Sequence, residues 1–506
     1  MKKYITILIL TLVITTSCNN YLDVNTDPDT VAAEQITDPR AILPAAELNL
    51  ANTIMGWEFG FNGAFYSEYW TAAYTHAQFK SACQYEPVSM STAYLNLTGG
   101  VLTDLKKIDQ LSSVNEEYKG YAYIAEALSI YTWQIMTDVW GDIPYTEAIK
   151  GDEGIYSPKF DDGKSIYTDL LVRINKLSAV NVSDYSISKN SSDFIFDGDF
   201  GQWKLFVNSL KLKLMMRTSE TDLYNNADMV NFVASNSFLE ESAKISGDVW
   251  SDGQEGKRHP MREFEEGEAA YVSKATIACR TFTDYLSSKN DEREKTLFTD
   301  VDGAYVGAYF GDFNSKKDSN SNGTDDDKEE YSIPKFEADT DIILLSNWEV
   351  SFFIAEINAR NSNEAAAKLS YEKGVQQSYT QHKITTPVPT DLDWKTGKTI
   401  EENIEQIAMQ KWVANAKYQH IESFLERNRT RYPALDKVDI KADRNAVNIA
   451  FPIGKLTLSV AGRVLLNDKL PESATYPASI LTRNVNAPSQ KANMAEKVWW
   501  NKKSND

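Results

Sequence analysis

The run DSNSNGTDDDKE, residues 318–329, spaces its oxygen-bearing side chains as D-x-[DN]-x-[DN]-G-x5-E. A hard cation such as Ca2+ needs about six to eight oxygens around one point, and that spacing wraps them there. Asp318, Asn320 and Asn322 would supply the first ligands, Thr324 a backbone carbonyl and Glu329 both carboxylate oxygens, with Gly323 making the turn. Neither flank carries a strong helical pattern, so the loop is not an EF-hand. A solvated acidic loop without an ion is the other reading.

A second constellation is aromatic. In GWEFGFNGAFYSEYWTAAYTHAQF, residues 56–79, Trp57, Tyr66, Tyr69, Trp70 and Tyr74 alternate with glycine and polar residues. Flat rings with a polar edge suit a sugar: the C–H face of a pyranose stacks on the ring while its hydroxyls bond nearby side chains. Packing of the same rings into a core is equally compatible with residues 65–79. Trp250, Tyr305, Tyr309 and Tyr331 extend the set of candidate platforms.

Catalytic patterns are lacking. The four histidines, His76, His259, His382 and His420, form no metal-ligand spacing, and no GxSxG elbow, phosphate loop or GxGxxG occurs. With 72 Asp and Glu, a glycosidase pair cannot be picked out by type alone.

The N-terminus carries its own chemistry. Lys2 and Lys3 precede a mostly apolar run from Tyr4 to Ile14, too short to span a bilayer, and small and polar residues lead to Cys18. This reads as a signal peptide over 1–17 with Cys18 at the cut point, placed as in bacterial lipoproteins. Acylation of Cys18 would tether residues 18–40 and everything after them to a membrane. Cys83 and Cys279 are expected to be buried thiols, since no CxxC spacing pairs them. The net charge of −20 argues against nucleic acid and anionic lipid and suits a neutral ligand.

These residues need a scaffold. The pattern Tyr121, Ile124, Leu128, Tyr131, Ile135, Val139 predicts a helix over 117–140 with one buried stripe, stopped at Gly141. Further helices are expected near 41–54, 92–110, 165–178, 202–219 and 272–287. In residues 347–380 two helical patterns meet at NSN, and Ala355, Ala367, Tyr371 and Gly374 carry the small and aromatic spacing of a tetratricopeptide unit. The expected fold is therefore mainly α: a tetratricopeptide-type helical scaffold over 41–237 and 346–432. A loop-rich insertion with short strands occupies 238–345, and an irregular C-terminal part covers 433–506.

Several blocks, in order, resemble the SusD/RagB family of outer-membrane lipoproteins, in its SusD-like, starch-binding branch. They are CNNYLDVNTDPD at 18–29, TDVWGDIPYTEAI at 137–149, GDFGQWKLFVNSLKLKLMMR at 198–217, WEVSFFIAEINAR at 348–360, QKWVANAKYQHIESFLERNRTRYPAL at 410–435 and YPASILTRNVNAP at 476–488. Where members usually carry a paired Arg, this chain has Arg427-Asn428-Arg429. The resemblance implies a non-catalytic, lipid-anchored, surface-exposed protein that binds a glycan and delivers it to a SusC-like TonB-dependent transporter. Peptide capture is the alternative within the family, and a surface glycoside hydrolase the alternative outside it. From the residues themselves, Trp140 and Tyr145 are expected to pack on neighbouring helices and Asp142 to bond turn amides. Glu356 is expected to pair with Arg217 or Arg427.

Overall fold

The computed structural model describes residues 36–73, 78–188, 193–265, 270–311, 331–438, 450–459 and 461–504. Its helices pack one against the next. Helix α1 (Pro39–Ile54) starts on Asp38, whose carboxylate accepts the Arg40 amide at 2.9 Å, and α2 is Trp57–Tyr66. The expected helix at 92–110 is a composite: α3 (Ser91–Leu95), a π-helical stretch Asn96–Leu102, then α4 (Thr103–Ser112). Helix α5 (Lys119–Trp140) runs to Gly141 at φ +83°. Burial extends around most of α5 rather than along one stripe, so it is the central helix of its layer. Helices α6 (Gly163–Ala179) and α7 (Phe200–Arg217) continue the series, each packed on its predecessor. Helix α8 (Asn226–Ser235) lies at its edge.

The second half turns back on the first. Helices α10 (Asn347–Arg360) and α11 (Glu364–Gln381) form the expected hairpin broken at 361–363. Gly374 explains their closeness: a Cβ there would stand 2.9 Å from the Phe352 ring. Helix α12 (Ile400–Asn415) packs on α10, and α13 (His420–Thr430) packs on α12 and on α2. The α2–α13 contact is backbone to backbone, since a Cβ on Gly63 would lie 2.5 Å from the His420 carbonyl carbon.

Between these halves, short strands replace helix. The region 272–287 departs from its expected helix: Thr276–Ala278 is strand β5, and the helix, α9 (Arg280–Ser288), begins only after it. Thr276 and Ile277 are β-branched, and β5 pairs with β1 (Trp70–Ala72), Trp70 facing Ala278. Strands β2 (Ile143–Pro144) and β3 (Phe160–Asp161) pair in the same way, as do β4 (Ala243–Ile245) and β6 (Ile342–Leu345). The irregular C-terminal segment is tied down at several of its described residues. The Ala474 amide donates to the Val139 carbonyl at 2.9 Å, and Lys491 Nζ to the Trp140 carbonyl at 2.8 Å. Arg431 Nη1 lies 2.8 Å from Glu472, and Trp500 is wholly buried. One hydrophobic core runs from Ile42 to Trp500, with a second under the α10–α11 hairpin.

Where α5, α7, α10, α12 and α13 meet, the interior is ionic. Lys213 Nζ lies 2.8 Å from Glu349 and 2.7 Å from Glu422. Arg217 bonds Asp138 at 3.0 Å and also contacts Glu422. Lys411 meets Glu426 at 2.6 Å, and Arg429 bridges Glu356 and Glu426. Glu356 therefore pairs with Arg429 and Arg360, not with Arg217 or Arg427 as the sequence suggested. Arg217, on α7, is turned to Asp138, while the Arg427 Nε reaches the Pro433 carbonyl at 3.5 Å. Burial alone would raise the Glu356 carboxyl, but the two guanidinium groups outweigh it and hold it down at about 2. Trp140 and Tyr145 pack as expected, against Phe59 and Trp133 respectively. Asp142 accepts the Gly163 amide at 2.9 Å, opening α6 rather than closing its own turn. Among the described residues no helix is long and apolar enough to cross a membrane.

Candidate functional site

Trp57 is the first residue of α2 and lines a cleft of about 330 Å³. One wall is the α1–α2 corner, with Asn52, Thr53, Gly56 and Glu58; α3 and the start of the π-helical stretch supply Thr92, Ala93 and Asn96. The loop bearing Arg258, Pro260, Glu263 and Phe264 closes the other side. The Trp57 ring is wedged among Phe61, Phe79, Phe264 and Tyr271, with centroids 5.5, 5.1, 5.6 and 4.8 Å away. That nest fixes its orientation. Phe264 is different: 51% of it is exposed, so an apolar ring stands in water at the rim.

The charged groups of the cleft are engaged internally. Glu58 Oε2 accepts the Ala93 amide at 2.7 Å and so caps the start of α3. Burial raises the Glu58 carboxyl, and hydrogen bonds from the amides of residues 91–93 offset part of that rise. Arg258 Nε donates to the Asp252 carbonyl at 3.1 Å and its Nη1 to the Glu263 carbonyl at 3.3 Å. Glu263 Oε1 accepts the Gly256 amide at 3.3 Å. Beside these partly engaged charges the cleft offers a ligand ring faces and neutral polar groups.

The other candidates divide. Trp70 is 4% exposed in β1, its ring edge-on to His420, and Tyr309 is 8% exposed against Phe451. Neither presents a ring face, because strand pairing and the Arg280 guanidinium, stacked 5.2 Å from the Tyr309 centroid, hold them inside. This corrects their reading as platforms. Trp250 is half-buried at the edge of His259, and Tyr305 is half-buried at a separate position near Lys295. Neither lines the Trp57 cleft. Tyr74, Cys18 and the calcium-type loop with Asp318, Asn320, Asn322, Thr324 and Glu329 lie outside the described residues.

Phe264, Asn52 and Asn96 were not among the sequence candidates. For Phe264 a signal existed, a lone Phe inside the charged run REFEEGE at 262–268. The two asparagines had none.

His420 is structural: its Nε2 accepts the Lys417 amide at 3.0 Å and its Nδ1 lies 2.9 Å from the Gly60 carbonyl, with burial pushing it down to about 4. Cys83 and Cys279 are free and buried. Glu349, Glu422 and Glu426 are close enough to share a metal ion, but Lys213, Lys411 and Arg217 already occupy their oxygens.

The fold is shared with several solved structures. A SusD homologue of Bacteroides uniformis is 20% identical, the match covering 91% of this chain and 99% of that one with a TM-score of 0.71. A chitin-binding SusD homologue of Flavobacterium johnsoniae is 18% identical over 92% of this chain and 99% of its own, also with a TM-score of 0.71. A SusD homologue of Bacteroides fragilis is 20% identical over 92% and 100%, with a TM-score of 0.65. No curated protein sequence matches the chain. The SusD-like family described as "Starch-binding associating with outer membrane" matches residues 30–452. With most of its length matched in sequence and the same helical architecture, the chain belongs to this SusD-like family of outer-membrane-associated proteins.

Proposed function

We propose that this protein captures a glycan at the cell surface, leaves it chemically unchanged, and passes it to a SusC-like TonB-dependent transporter. The observation that carries the reading is family membership over residues 30–452. The open aromatic cleft at Trp57 and Phe264 supports it, since it offers stacking faces beside neutral polar groups. The chitin-binding description of the Flavobacterium johnsoniae relative supports a glycan over a peptide. In this proposal acylated Cys18 is the anchor in the outer membrane, and residues 318–329 hold calcium.

The test is calorimetric titration of the mature protein with soluble starch, chitin and other glycan oligomers, a peptide panel, and CaCl2. Product analysis of the glycans follows. Glycan binding weakened by Phe264→Ala, with the glycans recovered intact, supports the reading. Binding of peptides alone, or hydrolysis lost on changing one carboxylate, overturns it. Calcium heat that survives Asp318→Ala with Glu329→Ala removes the metal from it.

A further inference from the structure

Two carboxamides in the Trp57 cleft are left without work inside the protein. Asn52, on α1, and Asn96, the first residue of the π-helical stretch, are both exposed and both line the cleft. Neither side chain has a hydrogen-bond partner among the described residues. Every formal charge lining the cleft has one: Glu58 takes the Ala93 amide, Glu263 the Gly256 amide, and Arg258 two loop carbonyls. The cleft thus sets two neutral carboxamides with unused donors and acceptors beside carboxylates that keep their negative charge.

A carboxamide carries both an acceptor oxygen and two N–H donors, which matches a sugar hydroxyl in either role. π-helical turns are rare and recur at functional sites, because the wide turn shifts the register of the residues that follow. Here it begins at the residue whose amide lines the cleft, while Leu97, Val101 and Leu102 stay in the core. An anionic sugar would meet Glu58 and Glu263 with Arg258 already engaged, on a chain whose net charge is −20.

We infer that the cleft selects an uncharged pyranose chain, stacked on Phe264 and Trp57 and read by the carboxamides of Asn52 and Asn96. This rests on the glycan-capture reading above and narrows its ligand class.

The test is calorimetry of the mature protein with malto-, chito-, manno- and xylohexaose and with hexagalacturonate. Asn52→Ala and Asn96→Ala are titrated alongside; both positions are exposed, so the fold is kept. At least one neutral chain should bind, each substitution weakening it about five- to tenfold, as for the loss of one hydrogen bond. Hexagalacturonate should bind at least about tenfold more weakly. Equal or tighter binding of hexagalacturonate overturns the inference and leaves glycan capture standing. So does unchanged affinity in both Asn variants when Phe264→Ala weakens the same ligand. If no oligosaccharide of any kind binds, glycan capture at this cleft falls, and the inference with it.

Discussion

The Arg429 guanidinium is fork-bonded to the Glu356 carboxylate, Nη1 to Oε1 at 2.8 Å and Nη2 to Oε2 at 2.5 Å, with both groups buried. The pair joins α13 to α10. Removing Arg429 leaves Glu356 with Arg360 alone and takes a partner from buried Glu426 too, and an under-compensated buried charge costs more than the pair contributes. Arg429→Ala should therefore lose about 3–5 kcal/mol in urea unfolding. Arg429→Lys should recover only part of that, because an ammonium cannot reproduce the fork. An Ala variant within about 0.5 kcal/mol of wild type would contradict this account.

Acid should weaken the same junction. The Glu356 carboxyl stands at about 2 in the folded protein against an ordinary 4.5, because Arg429 and Arg360 outweigh the effect of burial. A lowered folded value stabilises the fold fully above the unfolded value and is lost as pH falls towards the folded one. Stability should thus fall between about pH 4.5 and pH 2, by about 3 kcal/mol from this carboxyl. Urea midpoints measured from pH 6 to pH 2.5 check it, and a flat profile would count against it. In Glu356→Gln the decline should be shallower.

Two glycines should respond differently to alanine. At Gly63 the new methyl would meet the His420 carbonyl carbon and the Ile421 amide nitrogen, each 2.5 Å away. Backbone cannot yield as a side-chain tip does, so Gly63→Ala should cost about 1–3 kcal/mol or more. At Gly99 nothing lies within 4 Å, so Gly99→Ala should be neutral or gain up to about 1 kcal/mol of helix propensity. Thermal melts of the two variants side by side decide the matter.

The cleft variants need the same care. Trp57 supports its neighbours as well as facing the cleft, so Trp57→Ala should lower stability by about 3 kcal/mol together with affinity. Phe264 is half in solvent, and Phe264→Ala should weaken glycan binding about tenfold while the melting temperature stays put. Affinity electrophoresis read against melting temperature separates the two effects.

For the tether, Cys18→Ser should abolish incorporation of radiolabelled fatty acid and release the protein from the outer-membrane fraction. Labelling retained in that variant would place the anchor elsewhere.

The elements most visible in the sequence were those whose periodicity and packing agree. Tyr121, Leu128 and Val139 predicted α5, and two helical patterns meeting at 361–363, with Ala355, Ala367, Tyr371 and Gly374, predicted the α10–α11 hairpin. The failures have physical causes. Residue type does not distinguish an aromatic in the core from one at a ligand face, so Trp70 and Tyr309 read as platforms, and only the charged run around Phe264 marked it out. The ionic interior was hidden because Lys213, Glu349 and Glu422 count as polar in any pattern, and only pairing across three helices makes their burial tolerable. Strand β5 lay inside an amphipathic stretch, and its partner was about two hundred residues away in β1. Asn52 and Asn96 come from different elements, and a π-helical turn leaves no compositional trace.

Helical arrays usually fray from their ends, each unit depending only on its neighbours. Here the stretch 461–504 is laced back onto Val139 and Trp140 at the end of α5, and Trp500 sits in the same core as Ile42. Neither the first nor the last described segment is then a free edge from which unravelling can begin. Such a closed loop of contacts couples the two ends of the helical series, so a cut within 461–504 should loosen the whole body rather than release one unit.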